Sequence, residues 1–121
     1  ERDHAMLFIK YLQMNDEKVE LDTIAKPDKV FADRIDPLKA GLEHERLVTG
    51  LINNIYDAAY QVKDFRTMQF LDWFIKEQME EEDNATTLIS KYEMFGTDAK
   101  GLYMLDQELG QRIYSAPSLV L

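Results

Sequence analysis

Two long stretches of helical periodicity, separated by only two residues, constrain the fold more than any other feature of this chain. The first begins at Asp36 and Pro37, since Asp caps helices and Pro is tolerated at the first helical position. We expect this helix to run over about 36–62. After the turn, in which Asp64 can cap the next helix, a second helix should cover 65–95. Long helices joined by a short turn pack antiparallel, so the sequence predicts a helical hairpin.

The remaining segments predict shorter elements around this hairpin. Apolar residues recur at helical spacing from residue 1 to about 15, and again over 99–112 after the stop signal at Gly96. Residues 18–21 alternate in the manner of a strand but cannot make a sheet alone, and the following loop is long enough for a crossover. We therefore expect an all-α chain with a helical bundle over 1–96, a short helix over 97–113 and an irregular tail over 114–121.

Composition excludes several classes of function. A net charge of −9 argues against a nucleic-acid partner, because phosphate binding needs a basic surface. Cysteine is absent, which excludes disulfides, thiolate zinc sites, iron–sulfur clusters and a cysteine nucleophile, and suits the reducing cytoplasm, where we expect the protein to work. The chain contains no apolar run of about 18 residues, so the sequence predicts no membrane-spanning helix. We see no signal peptide, and the opening Glu1 suggests a cut or processed N-terminus.

Each predicted bundle helix carries side chains that can bind metal where its apolar stripe predicts core. Glu45 lies in the stripe of the first long helix, seven residues from both Leu38 and Ile52. The predicted stripe of that helix consists of Leu38, Leu42, Glu45, Val48 or Thr49, Ile52, Ile55, Ala59 and Val62. The predicted stripe of the second long helix consists of Phe70, Phe74, Gln78, Glu81, Ala85, Leu88 and Tyr92. Six such residues occupy or adjoin core positions in the three helices: Glu1, His4, Glu45, Glu77, Gln78 and Glu81. Burying several carboxylates together is costly unless a cation compensates them. The pattern therefore predicts a metal site inside a helical bundle.

The side-chain types narrow the choice of metal. Glu1 and His4 are three residues apart, so both can reach one ion. Carboxylates with one imidazole suit iron, manganese or zinc, and two bridged irons can be oxidised together while oxygen accepts the electrons. More ordinary interpretations stay open: the acidic run at 80–83 can be a solvated helix face, and His44 can lie at the surface or beside the ligands.

Several stretches of the chain resemble prokaryotic non-haem ferritins. Residues 43–54 resemble the third helix of that family, and residues 70–82, with the pattern Trp-x-x-x-Glu-Gln-x-Glu-Glu-Glu, resemble the fourth. Residues 102–109 are similar to the short fifth helix, and residues 18–21 to the extended part of the long connecting loop. The resemblance implies a ferritin-like antiparallel four-helix bundle with a short C-terminal fifth helix. It also implies that the N-terminal helix and the start of the second are missing from this chain, as in a truncated form or the C-terminal part of a longer ferritin.

The resemblance also implies roles for individual residues. Glu1 is similar to the carboxylate that bridges the two irons of the ferroxidase centre, and His4 to the imidazole ligand of the first iron. Glu45 and Gln78 correspond to the residues flanking the second iron, with Gln78 a ligand or a hydrogen-bonding neighbour. The acidic residues that match an adjacent third iron site are Glu77, Glu80 and Glu81. Family members have a further glutamate ligand on the first helix, which this chain lacks.

The function implied by the resemblance is oxidation of Fe(II) by dioxygen or peroxide and storage of ferric mineral in a homo-oligomeric shell of 24 subunits. A haem-binding relative is not expected, because bacterioferritins have a second Glu-x-x-His where Glu77 is followed here by Glu80. Rubrerythrins add a cysteine-bound iron domain, which a chain without cysteine cannot form. Two alternatives stay open: a metal-binding or structural bundle without redox turnover, and an inactive ferritin fragment.

Overall fold

The computed structural model describes residues 1–121 and contains α-helices but no β-strand, which confirms the predicted all-α class. The helices are α1 (Arg2–Met14), α2 (Asp36–Gln61), α3 (Phe65–Phe95) and α4 (Ala99–Gly110). The chain divides into two compact units, which we call the N-terminal unit (Glu1–Lys29 with Arg112–Leu121) and the hairpin unit (Val30–Gln111). None of the helices combines the length and the apolar character needed to cross a membrane.

The start of α2 differs in detail from the prediction. Asp36 is the first helical residue, and the N-cap is Ile35, which makes no side-chain capping bond. The Asp36 carboxylate turns back instead, and its Oδ2 accepts hydrogen bonds from the main-chain N–H groups of Ala32 at 3.0 Å and Asp33 at 2.9 Å. Pro37 occupies the first turn, as predicted, where a missing N–H is harmless. Asp36 therefore stabilises the preceding turn rather than capping the helix.

The turn between α2 and α3 depends on two neighbouring residues. Lys63 has a positive φ of 59°, a left-handed conformation that reverses the chain. Asp64 is the N-cap of α3, as predicted, and its carboxylate accepts a hydrogen bond from the main-chain N–H of Thr67 at 3.1 Å. These two features bring α3 back against α2, which gives the expected hairpin.

The core of the hairpin unit is small and rich in aromatic residues. Its buried apolar side chains are Ile52, Ala59, Phe70, Leu71, Phe74 and Leu105. Phe74 lies between two edge-to-face partners, with ring centroids 5.1 Å from Phe70 and 4.9 Å from Trp73. Such pairs contribute roughly 0.5–1.5 kcal/mol beyond the area that they bury. The aromatic part of this core therefore lies in the first half of α3.

The predicted α2 stripe was wrong at two positions. Ile55 is 44% exposed and Val62 is 76% exposed. The buried face passes from Ile52 through the half-buried Tyr56 to Ala59, so Ile55 lies at its edge. Val62 follows the last helical residue and no longer belongs to any helix face.

Helix α4 packs against the end of α3 through a close backbone approach. Asp98 caps α4, and its Oδ1 accepts a hydrogen bond from the N–H of the buried Gly101 at 2.8 Å. Leu105 is buried one turn further on, and Lys91 forms an ion pair with Glu108 across the two helices. The helix ends at Gly110, two residues before the predicted end.

The N-terminal unit is built on α1 and has no fully buried residue in that helix. The side-chain amide of Asn15 closes the helix by donating to the main-chain oxygen of Tyr11 at 2.8 Å. Residues 18–21 form no strand. The Tyr114 hydroxyl group donates to Asp3 Oδ2 at 2.9 Å, which attaches the C-terminal residues of this unit to α1 and raises the pKa of Tyr114.

We predict that Gly101→Ala destabilises the chain by roughly 1–3 kcal/mol, the usual range for an overpacked site. A Cβ at this position would overlap the main-chain oxygen of Phe95. Gly110→Ala is the matched control, since nothing lies within 4 Å of a Cβ there. Urea unfolding of both variants tests the prediction, and equal stability of the two would contradict it.

We also predict that the stabilisation supplied by Asp64 depends on pH. Hydrogen bonds from the Thr67 hydroxyl and then from its main-chain N–H lower the pKa of Asp64 from 3.8. A lowered pKa in the folded state gives stability that is complete above about pH 4 and is lost as the pH falls through the folded-state pKa. The difference in melting temperature between the native chain and Asp64→Ala should therefore shrink in acid.

Asp64→Asn supplies the control, because asparagine caps helices without an ionisable group. Its advantage over Asp64→Ala should stay constant across the same pH range. A difference between the native chain and Asp64→Ala that does not change with pH would contradict the prediction.

Candidate metal centre

The N-terminal unit holds the first predicted pair of ligands, Glu1 and His4. His4 Nδ1 lies 3.7 Å from Glu1 Oε2, as expected for residues three positions apart at the start of a helix. The His4 side chain is 17% exposed, whereas that of Glu1 is 73% exposed. The two side chains therefore share one face of α1, with the imidazole protected and the carboxylate open to solvent.

The hairpin unit brings Glu45 of α2 and Gln78 of α3 into direct contact. Gln78 is 4% exposed and is the one buried polar residue of the chain. Its Nε2 donates to the main-chain oxygen of Glu45 at 3.1 Å and to Glu45 Oε2 at 3.2 Å. These hydrogen bonds leave the second carboxylate oxygen, Oε1, outside the contact.

A threonine and a second glutamate extend this pair. Thr49 Oγ1 lies 3.4 Å from Gln78 Nε2, 3.0 Å from the main-chain oxygen of Glu45 and 2.6 Å from Glu82 Oε1. Arg46 lies beside Glu82, with its Nε 3.9 Å from Glu82 Oε2. The result is a polar network across the α2–α3 interface in which no buried side-chain nitrogen or oxygen lacks a hydrogen bond.

Thr49 and Glu82 were missed as site residues by the sequence interpretation. Thr49 is a position of the predicted apolar stripe, and Glu82 belongs to the acidic run that a solvated helix face would also explain. The signal was present in their spacing, because Thr49 lies four residues after Glu45 and Glu82 four residues after Gln78. Residues four apart share a helix face, so a polar pair on one helix extends naturally to the next turn.

The remaining predicted ligands lie on α3 in different environments. Glu77 and Glu81 are half-buried, whereas Glu80 is exposed and lies 3.9 Å from Lys76 Nζ. No group of three or more His, Asp or Glu side chains has the geometry to hold a metal ion. The structure thus brings together the pairs Glu1–His4 and Glu45–Gln78.

A second polar contact crosses the hairpin nearer the turn. The Tyr56 hydroxyl group donates to Asp72 Oδ1 at 3.1 Å. This hydrogen bond, followed by partial burial and by the Asp72 charge, raises the pKa of Tyr56. Together with the Glu45–Gln78 contact, it sets the register of α2 against α3.

Known proteins share both this sequence and this fold. Residues 1–95 match the family described as ferritin-like domain. The bacterial non-heme ferritin of Campylobacter jejuni is 36% identical over 107 residues, which are 88% of this chain and 64% of that protein. The bacterial non-heme ferritin of Staphylococcus epidermidis is 35% identical over 95% of this chain and 69% of its own length.

The chain belongs to the ferritin family. The fold agrees, since an engineered closed form of the Archaeoglobus fulgidus ferritin superposes with a TM-score of 0.89 at 33% identity. That match covers 93% of this chain and 68% of the archaeal chain. The predicted ferritin-like all-α bundle is therefore confirmed, and this ferritin chain spans 64% of the length of the C. jejuni relative.

The contact between Glu45 and Gln78 predicts a clear effect of Gln78→Glu. This change replaces the donor with an acceptor and places two carboxylates against each other, so we expect a loss of about 1–3 kcal/mol in buffer containing a metal chelator. In the double variant Glu45→Gln/Gln78→Glu the amide and the carboxylate exchange helices. It should recover a large part of that loss.

Urea unfolding measures both variants, and Gln69→Glu makes the same chemical change at an exposed position of α3 as a control. Equal stability of the Gln78→Glu and Gln69→Glu chains would show that the buried amide does not hold Glu45.

Proposed function

We propose that this ferritin chain oxidises Fe(II) at a di-iron centre and stores the ferric product as mineral. The observation that carries the proposal is the buried Gln78 amide, which holds one oxygen of the Glu45 carboxylate and leaves the other outside the contact. Names of similar proteins support the same function, since they are bacterial non-heme ferritins. Iron is the substrate of this reaction rather than a resident cofactor, and no haem is involved.

The chemistry of Glu45 suits Fe(II). Carboxylate oxygens are hard ligands that bind iron in its divalent and trivalent states. Two Fe(II) ions each lose one electron, and dioxygen, taking two protons, accepts both electrons to become hydrogen peroxide. Hydrogen peroxide can also serve as the oxidant, since it takes two electrons and two protons to give two water molecules. Gln78 contributes by keeping Glu45 oriented with a neutral group, so the negative charge remains to bind a cation.

For Glu1 and His4 the proposal rests on the family resemblance and on their spacing. Glu1 bridges the two irons and His4 binds the first, while Glu45 and Gln78 serve the second. The exposure of Glu1 leaves its carboxylate accessible to ions, and the shielding of His4 restricts the motion of its imidazole.

The remaining acidic residues of α3 are proposed to form a third iron site. Glu77, Glu80 and Glu81 would bind iron that leaves the first two positions. Glu80 is suited to exchange with solvent, since its side chain is 56% exposed and its partner Lys76 forms only a surface ion pair.

We further propose that the chain works in the cytoplasm as part of a homo-oligomeric shell of 24 subunits. The net charge of −9 supports the storage function, because an acidic surface raises the local concentration of cations. Zero cysteine content is compatible with a reducing compartment.

Iron oxidation by site variants tests the proposal. The chain is loaded without oxygen with two Fe(II) ions per chain, the stoichiometry of the proposed centre, and then exposed to dioxygen while ferric absorbance and oxygen uptake are followed. We expect Glu45→Ala and His4→Ala each to slow the initial phase by roughly tenfold or more, as loss of a metal-binding or supporting residue does elsewhere. Glu93→Ala, which removes an exposed carboxylate of α3, should leave the rate unchanged.

Two outcomes would contradict the proposal. Unchanged rates in both Glu45→Ala and His4→Ala would remove these residues from the oxidation reaction. Binding of zinc and iron without oxygen uptake would favour the redox-inert metal-binding bundle instead.

A further inference from the structure

The hydroxyl group of Thr49 has one proton and two acceptors within reach. Its Oγ1 lies 2.6 Å from Glu82 Oε1 and 3.0 Å from the main-chain oxygen of Glu45. A hydroxyl-to-carboxylate hydrogen bond of about 2.5–2.7 Å is charge-assisted and roughly twice as strong as a neutral one. The proton therefore goes to Glu82, and the oxygen of Thr49 keeps its lone pairs for a donor.

This placement of the proton sets the orientation of the Gln78 amide. Gln78 Nε2 lies 3.1 Å from the main-chain oxygen of Glu45, 3.2 Å from Glu45 Oε2 and 3.4 Å from Thr49 Oγ1, and all three oxygens act as acceptors. An amide turned over would present its own oxygen to them and lose these hydrogen bonds. Because Gln78 is only 4% exposed, water cannot compensate for that loss. Thr49 and Glu82 thus favour the orientation in which the NH₂ group faces Glu45.

Glu82 is placed to act as the anchor of this arrangement. Its side chain is 32% exposed, and its Oε2 lies 3.9 Å from Arg46 Nε. Arg46 belongs to α2 but is 64% exposed, so its ion pair with Glu82 is a weak surface contact, and the close link between Glu82 and α2 is the 2.6 Å hydrogen bond from Thr49. The sequence of contacts runs from Glu82 through Thr49 and Gln78 to Glu45.

We propose that Thr49 and Glu82 are positioning residues for Fe(II) oxidation, acting through Gln78 to hold the Glu45 carboxylate in place. The inference rests on the proposed function, because it assumes that Glu45 binds iron. Without the Thr49 hydroxyl group, the Gln78 amide loses one of its three acceptors and keeps only the main-chain oxygen and Oε2 of Glu45. The N–H that orients Glu45 Oε2 is then held less firmly. A mobile carboxylate binds a cation more weakly, since ordering it on binding costs free energy.

Thr49→Val tests the hydroxyl group, because it removes the oxygen and keeps the branched shape of the side chain. We expect the Fe(II) concentration for half-maximal initial oxidation to rise about threefold to tenfold, as for one lost hydrogen bond. The maximal rate should change less. Anaerobic Co(II) binding, followed by visible absorption, should weaken by the same factor without any oxidation step. Thr49→Ser keeps the hydroxyl group and should restore both values.

Glu82→Gln tests the anchor independently, since it removes the charge that takes the Thr49 proton. We expect the half-maximal Fe(II) concentration to rise and anaerobic Co(II) binding to weaken, as in Thr49→Val. The matched controls are Thr87→Val and Glu93→Gln, which make the same changes at exposed positions of α3 and should shift neither value.

Three results would overturn the inference. Unchanged iron and Co(II) values in Thr49→Val would remove Thr49, and unchanged values in Glu82→Gln would remove Glu82. Equal losses in Thr49→Val and Thr49→Ser would indicate packing rather than the hydroxyl group. Failure of the proposed function gives a different result from failure of this inference. If the proposed function is wrong, Glu45→Ala leaves Fe(II) oxidation unchanged. If only the positioning roles are wrong, Glu45→Ala slows oxidation and the Thr49 and Glu82 variants do not.

Discussion

The buried amide of Gln78 is the constraint on which the hairpin depends. At 4% exposure its polar atoms must find partners within the protein, and Glu45 and Thr49 of the facing helix supply them. Sliding α3 along α2 by one helical turn, about 5.4 Å, would move the amide away from both partners. The hydrogen bond between Tyr56 and Asp72 is satisfied in the same register. The geometry of the candidate centre and the packing of the two long helices are therefore set together.

The helices themselves could be predicted from the sequence, because their signals are local. Asp64 and Asp98 cap α3 and α4, and periodic apolar residues continue between the caps and the stop positions. Depth of burial could not be predicted in the same way. Leu71 is fully buried although it lies beside the predicted stripe, whereas Ile55 within a stripe is 44% exposed. Helix α3 packs against both α2 and α4, and a one-dimensional period cannot show how many partners a helix has.

The candidate centre was predictable to the extent that its residues interrupt an apolar pattern. Glu45 and Gln78 stand out for that reason, and the structure brings them into contact. Thr49 does not interrupt the pattern, since threonine is common at half-buried helix positions, and Glu82 lies in an acidic run that a solvated face would explain equally well. Spacing places Thr49 and Glu82 on the same helix faces as Glu45 and Gln78, but it does not encode the 2.6 Å hydrogen bond between the two helices on which their roles depend. Glu80 was assigned by resemblance alone and lies exposed.

The choice of an amide beside Glu45 has a consequence for metal chemistry. A lysine at position 78 would neutralise the carboxylate permanently and compete with any cation, whereas a glutamate would repel it until a cation arrived. Glutamine donates a hydrogen bond to Oε2 without adding a charge, so under the proposed function Glu45 is already oriented when Fe(II) arrives and no positive side chain at position 78 competes with the ion. The amide in turn needs a fixed orientation. Glu82 contributes to it through Thr49, so its charge lies three hydrogen bonds away from Glu45 rather than against it. If Glu45 binds Fe(II) as proposed, the hairpin orders its carboxylate without placing a positive side chain at position 78.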